Sequence, residues 1–231
     1  MQMRAYNPYQ PLIFIHVPKT AGTSVRSLFA QLFPGRVHHH YCDESAGSLP
    51  PKRNLNALCQ NGLAPILFGH FNENRGFGIR EYYPHVTQFV TILRDPFEMH
   101  LSRYFYTKRR QKDWQRTSDV GDTGLRQFIE EGHLNMMEHF PRDMTLTSFE
   151  TDLAEQFVDV GCVETLSSSV SRITARLGAT MDDMTVPMRN QSERELHQDL
   201  APLRILFRER WPLEHAIYDY ARRMNLALAR D

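Results

Sequence analysis

The sequence predicts an α/β protein built on one parallel sheet with helices on both faces. Short apolar runs rich in β-formers alternate with amphipathic stretches at helical spacing, and glycine or proline marks the change-overs. Strands covered on both sides read as continuous apolar runs rather than as alternation, and these do. At 231 residues the chain fits a single domain, 1–231.

Leu12-Ile13-Phe14-Ile15-His16-Val17 is the first strand, bounded by Pro11 and Pro18. After Pro18-Lys19-Thr20-Ala21-Gly22 the period changes. Val25, Leu28, Phe29, Leu32 and Phe33 recur on one helix face until Pro34-Gly35. Pro65 to His70 reads as the second strand and Thr87 to Leu93 as the third. Arg94-Asp95-Pro96 ends that strand, and Phe97, Leu101, Tyr104 and Phe105 open a helix with proline in its first turn. The polar stretch 107–123 is the candidate for a mobile loop on the substrate side. Thr147 with Glu150, and Ser192 with Glu195, have the spacing of capping boxes. Val158 to Val163 is a fourth strand, and the helix behind it stops at Gly178. From about Ser192 the chain reads as helical, with breaks near Pro202 and at Trp211-Pro212. Its last helix gathers Leu213, Ala216, Ile217 and Tyr220 on one face.

Lysine plus arginine and aspartate plus glutamate each number 27, so no global field draws the chain to nucleic acid or an anionic membrane. An anion site has to be local. Cys42, Cys59 and Cys162 have no metal-like spacing and fit a reduced compartment. The N-terminal residues lack the apolar core of a signal peptide, and no run approaches the ~20 apolar residues of a spanning helix. A cytoplasmic protein without stable membrane insertion is expected. A luminal domain separated from its anchor would have the same composition.

The segment His16-Val17-Pro18-Lys19-Thr20-Ala21-Gly22-Thr23-Ser24 joins a strand to a helix. Such a turn aims backbone N–H groups and the positive end of a helix dipole at one point, which suits an anion. Gly22 permits close approach, Thr20, Thr23 and Ser24 add hydroxyls, and Lys19 adds a charge. A Walker A loop places its lysine after the second glycine. Here Lys19 precedes the only glycine of the loop. The segment resembles the 5′-phosphosulfate-binding loop of sulfotransferases that use 3′-phosphoadenylyl sulfate (PAPS), specifically the carbohydrate type related to heparan sulfate 2-O-sulfotransferase. The resemblance implies the P-loop-like three-layer sandwich of that family. It also implies cofactor binding by Lys19, Thr20, Ala21, Gly22, Thr23 and Ser24, with adenosine 3′,5′-bisphosphate as product and no metal.

Val90-Thr91-Ile92-Leu93-Arg94-Asp95-Pro96, with Ser102 two helical turns on, resembles the family's 3′-phosphate motif. The resemblance assigns Arg94 and Ser102 to the 3′-phosphate, and a guanidinium that binds phosphate through two donors fits the assignment. Relatives often carry a further arginine where Met99 stands, and Arg103 is the candidate to replace it. Arg189, in Arg189-Asn190-Gln191-Ser192, corresponds to a basic loop that closes over the nucleotide in relatives; a solvated arginine is the other reading.

Phe68-Gly69-His70 ends the second strand, where a side chain faces the site. Histidine titrates near neutrality and suits removal of a proton from an acceptor. The family's proposed base follows a similar strand, so the resemblance makes His70 the base and Lys19 the group that stabilises the leaving phosphate. The acceptor would be a small molecule or glycan offering a hydroxyl or amine.

His38-His39-His40 suggests a metal, yet only His38 and His40 share a face of an extended chain, and no partner stands at familiar spacing. Acceptor contact and plain surface are the other readings. Lys108, Arg109, Arg110, Lys112 and Arg116 form a basic run suited to an acidic glycan or simply to solvent. Two rival functions remain. A kinase-like nucleoside triphosphate enzyme needs a magnesium-binding carboxylate at a strand end, for which Asp95 is the one candidate. A non-catalytic nucleotide-binding module would have no use for a base.

Overall fold

The computed structural model describes residues 2–43, 45–114, 124–181 and 200–228. Strands β1 (Leu12–Ile15), β2 (Val37–His40), β3 (Ile66–Gly69), β4 (Gln88–Leu93) and β5 (Phe157–Cys162) pair in parallel throughout. Their spatial order is β2-β3-β1-β4-β5. The chain therefore winds to one side of β1 first and to the other side afterwards. The crevice at the carboxyl end of β1, between β3 and β4, is where such sheets bind ligands.

The helices are α1 (Gly22–Leu32), α2 (Ile79–Tyr82), α3 (Pro96–Trp114), α4 (Leu125–Glu131), α5 (Phe149–Gln156), α6 (Leu166–Arg176), α7 (Ala201–Arg210) and α8 (Pro212–Leu228). Alternation along the strands divides the core. Leu12 and Phe14 of β1 face one side, where Val25, Leu28 and Phe29 of α1 and Val170 and Ile173 of α6 pack on them. Ile13 and Ile15 face the other side, which is filled from the remaining helices by side chains such as Ile79, Phe97, Leu153, Leu203 and Ile217. The expected three-layer α/β architecture is observed. Among the described residues no helix is long and apolar enough to cross a membrane.

The structure corrects three local expectations. β2 is not among the strands that apolar runs predict. It lies at the sheet edge, and its Val-His-His-His sequence carries one aliphatic residue. Its pairing comes from β3, with Val37 opposite Ile66 and His40 opposite Gly69. Second, the expected loop 107–123 begins as helix: α3 runs through Trp114, because lysine, arginine and glutamine are good helix formers even where no apolar face guides them. The rest of that stretch lies outside the described residues. Third, α5 is preceded by Ser148, not Thr147. The Ser148 hydroxyl is engaged by the Thr145 N–H at 3.0 Å, while the Ser148 N–H donates to Thr145 Oγ1 at 3.1 Å, so this reciprocal pair replaces the expected box. Pro202 sits in the first turn of α7, just after the non-helical Leu200. The box at Ser192 and Glu195 falls outside the described residues.

One polar cluster ties β5 to the helices. Asp159 of β5 is 3% exposed and accepts from Arg172 at 2.8 and 2.9 Å, with Arg176 Nε at 3.0 Å. Arg172 also donates to Asn225 of α8 at 2.6 Å, and Asn225 donates back to the Val160 carbonyl at 2.8 Å. Removing the carboxylate would leave guanidinium charge without its partner in a half-dry site. Asp159→Ala should lower the unfolding free energy by about 3 kcal/mol, read as a fall in the urea midpoint at unchanged slope.

Candidate functional site

The turn that leaves β1 is held from below. Thr91 of β4 donates through Oγ1 to the Ile15 carbonyl at 2.9 Å, and Thr20 donates to the Val17 carbonyl at 2.7 Å. Between these anchors Lys19 and Ala21 take left-handed backbone angles, φ 71° and 62°. For residues with a Cβ this costs ~1–2 kcal/mol each. The strain brings α1 in immediately, with Ala21 as its cap and no acidic side chain in its first turn. The N–H groups of Ser24 and Val25 turn back to the Ala21 carbonyl. Those of Gly22 and Thr23 have no intrahelical acceptor and lie at the positive end of the helix dipole. Thr20 and Ser24 are buried, whereas Thr23 is exposed. The turn thus has the donors to cradle an anion.

On the β4 side, Arg94 reaches the turn directly: its Nη1 lies 3.4 Å from the Lys19 carbonyl. The Lys19 ammonium stands 3.9 Å above the ring of Tyr106 on α3. Glu98, Ser102 and Tyr106 are spaced by four and form one row of that helix. Ser102 thus occupies the row between the two groups that touch Lys19. Asp95 is used structurally. Its carboxylate accepts from the Glu98 N–H at 2.9 Å and caps α3, and its own N–H donates to Glu164 at 3.1 Å. Arg204 of α7 binds Glu98, lies 3.8 Å from Asp95, and covers the Phe97 ring. Met99 is buried in the core, and Arg103 is turned to the His133 carbonyl at 3.4 Å rather than to Arg94.

On the β3 side stands His70. Its Nδ1 lies 2.6 Å from the His16 carbonyl, which can only accept, so Nδ1 carries the proton and Nε2 is the basic nitrogen of the neutral ring. The His70 ring stacks on His16 with centroids 4.4 Å apart and meets Tyr41 edge-on at 4.8 Å. His139 follows at 6.1 Å. The His70 carbonyl accepts from His40 Nδ1 at 2.9 Å, which anchors His70 to β2. Burial is the main cause that holds the neighbouring histidines neutral. It lowers His40 to about 4 and His139 to about 3, and it puts His16 well below its ordinary value, with His70 as the next cause. Neither nitrogen of His139 makes a hydrogen bond of good geometry, although its contact with the Phe71 backbone partly opposes the downward shift.

The elements bring Lys19 to Ser24, Arg94 and His70 to one edge of the sheet, with Ser102 on the helix row facing the turn. Arg189 lies outside the described residues. His38, His39 and His40 alternate on β2: His40 supports His70, while His39 exposes its ring beside Tyr41. Among the described residues no group of three His, Cys, Asp or Glu is placed to hold a metal ion. In the basic run, Lys108 lies over Tyr104 at 5.8 Å. The sequence reading omits His16, Tyr41, Tyr106 and His139. Their contacts with one another and with Lys19 and His70 span 25 to 87 positions of chain, and the one local signal is His16, a polar residue at the end of an apolar run just before the lysine.

No family model and no curated protein matches the chain. Among solved structures it is similar to a sulfotransferase from Alicyclobacillus acidocaldarius, at 15% identity over 92% of this chain and 96% of that one, with a TM-score of 0.49. It is also similar to mouse sulfotransferase SULT7A1 complexed with PAP, at 11% identity over 75% of this chain and 60% of that one, with a TM-score of 0.42. Neither likeness says which side chains do chemistry here.

The histidines set a pH dependence. His40, His100 and His139 titrate at about 4, 4 and 3 in the folded chain and near 6.5 when unfolded. A histidine lowered in this way favours the fold fully above pH 6.5, and that contribution is lost as pH falls toward the folded value. Each proton taken up on unfolding adds a slope of ~1.4 kcal/mol per pH unit. Stability should therefore drop from pH 6.5 toward 4 with a slope of more than one proton, measured as urea midpoints across that range. A flat profile would contradict burial of these rings.

Proposed function

We propose that the chain is a PAPS-dependent sulfotransferase that moves the sulfuryl group to a hydroxyl or amine, with a carbohydrate as the favoured acceptor. The observation that carries this reading is the order across the sheet edge. The basic nitrogen of His70 ends β3, the anion cradle ends β1, and Arg94 ends β4 against the cradle's own Lys19 carbonyl. A donor with phosphates at both ends of an adenosine needs two cationic sites side by side, and a transfer reaction needs a base on the far side of the first.

In this reading the cradle N–H groups and the hydroxyls of Thr20, Thr23 and Ser24 hold the 5′-phosphosulfate, and Arg94 with Ser102 holds the 3′-phosphate. Arg189 closes over the nucleotide. The acceptor oxygen or nitrogen attacks sulfur, and its proton passes to His70 Nε2. The bond from sulfur to the bridging phosphate oxygen breaks, and the electron pair stays on that oxygen beside Lys19. Fixed positive groups at the developing charge lower the barrier without reorganisation. The in-line geometry is borrowed from phosphoryl transfer. The kinase alternative loses its carboxylate, since Asp95 caps α3 and faces Arg204. The non-catalytic alternative leaves the His70 tautomer without a purpose.

Two measurements test the reading. Adenosine 3′,5′-bisphosphate should bind more tightly than ATP or 5′-AMP by calorimetry. Arg94→Ala should remove most of that preference, about 1.5–3 kcal/mol for a hydrogen bond to a charged group, while leaving 5′-AMP binding unchanged. Tighter ATP binding would overturn the proposal. Separately, His70→Ala should keep bisphosphate affinity within about threefold and lower sulfate transfer from PAPS by roughly 10²–10⁴-fold. Equal loss of both would remove His70 from the base role.

A further inference from the structure

His16 directly follows the apolar first strand, and its side chain is assigned no role above. Its ring lies where a side chain on Gly22 would stand: a Cβ built on Gly22 falls 1.8 Å from His16 Nε2. Glycine at the first position of α1 is therefore required by the imidazole, and Nε2 rests against the residue whose N–H opens the anion cradle. The other face of the ring stacks on His70 at 4.4 Å and 25°. His16 is wedged between the cradle and the base.

Its tautomer follows from the groups behind it. Nδ1 lies 3.0 Å from the Tyr41 hydroxyl. Arg26 of α1 lies over the Tyr41 ring at 5.2 Å and interacts with that hydroxyl. A guanidinium has only donors, so Arg26 occupies a lone pair of the Tyr41 oxygen and leaves its O–H available to donate to His16 Nδ1. The remaining nitrogen, Nε2, then carries the proton. The same α1 that supplies the cradle thus fixes the imidazole at its mouth through Arg26 and Tyr41.

We propose that His16 is a neutral hydrogen-bond donor of the anion site, whose Nε2–H takes one oxygen of the phosphosulfate beside His70. This rests on the function proposed above and adds a binding residue to it. Neutrality matters chemically. His70 becomes an imidazolium during transfer, and a second cation stacked upon it would oppose that step by direct repulsion. Burial, with His70, His139, Arg26 and Lys19 around it, keeps His16 uncharged while its N–H still donates. Lys19 provides the charge in the site and His16 provides direction.

The test uses the full chain labelled with ¹⁵N and histidine long-range correlation spectra. In the free protein His16 should show a protonated Nε2 and an accepting Nδ1, and saturating adenosine 3′,5′-bisphosphate should move the Nε2–H resonance. His16→Gln, which keeps a donor, should bind the bisphosphate within about threefold of the parent. His16→Leu should bind about tenfold or more weakly, the worth of one hydrogen bond to a charged acceptor. Tyr41→Phe releases the tautomer without touching the ligand and should also weaken binding. Where His16→Leu does not fold, the parent spectra and the other two variants decide. A protonated Nδ1, an unmoved Nε2 signal at saturation, or a leucine variant that binds like the parent overturns the inference. A parent chain that does not bind the bisphosphate overturns the proposed function with it. Binding that leaves His16 unmoved overturns this inference alone.

Discussion

The site depends on one constrained turn. After β1 the chain reverses into α1 within Val17 to Ala21, and it does so by holding Lys19 and Ala21 in a left-handed conformation that their side chains disfavour. The strain is sustained because both ends are fixed: Thr91 and Thr20 pin the strand side, and α1 packs Val25, Leu28 and Phe29 into the core on the other. Burial of three large apolar side chains contributes roughly 1.5–3 kcal/mol each, which exceeds the cost of two unfavourable φ angles. A packed helix can therefore present its unpaired N–H groups to a ligand instead of capping them with its own side chain.

From that turn the neighbouring strands take their roles by position. β3 and β4 flank β1 on opposite sides, so whatever ends each of them stands beside the cradle. His70 follows β3 and is oriented by the carbonyl of His16, just past β1, while its own carbonyl is held by His40 of β2. Arg94 ends β4 and meets the Lys19 carbonyl. Three adjacent strands of the sheet thus bring together a histidine, a donor-rich turn and an arginine. Gly69 contributes through its missing side chain, because a Cβ there would fall 1.9 Å from the His40 carbonyl. Close approach of β3 to β2 at that point lets the His70 N–H donate to the His40 carbonyl at 2.9 Å.

Much of this was legible in the sequence, and the limits have physical causes. The strands β1, β3, β4 and β5 carry their own apolar signal because both faces are buried, and the cradle carries a local one because hydroxyls, lysine and glycine sit within a few residues. The edge strand β2 did not announce itself, since its pairing is supplied by β3 rather than by its own side chains. The stretch from Thr107 to Trp114 reads as a polar loop in a search for apolar faces, although its residues favour a helix. His16, Tyr41 and Tyr106 were invisible as site residues for a different reason. Nothing near Tyr41 or Tyr106 in the chain marks them, His16 is marked only as a polar end to an apolar run, and only the folded sheet puts Tyr41 on His16 and Tyr106 under Lys19.

Asp95 shows how geometry narrows the chemistry. In the sequence it is a carboxylate at a strand end, open to a magnesium-binding role. In the fold it accepts the Glu98 N–H, its backbone donates to Glu164, and Arg204 stands opposite. A carboxylate committed to a helix cap and facing a guanidinium has lone pairs engaged in neutral and cationic contacts. Recruiting it to a metal would uncap α3, whose first turn holds Glu98 and whose next two turns carry Ser102 and then Tyr106, the residue under Lys19. Asp95 is thus committed to the α3 cap, and the positive groups that meet at the turn are Lys19 and Arg94.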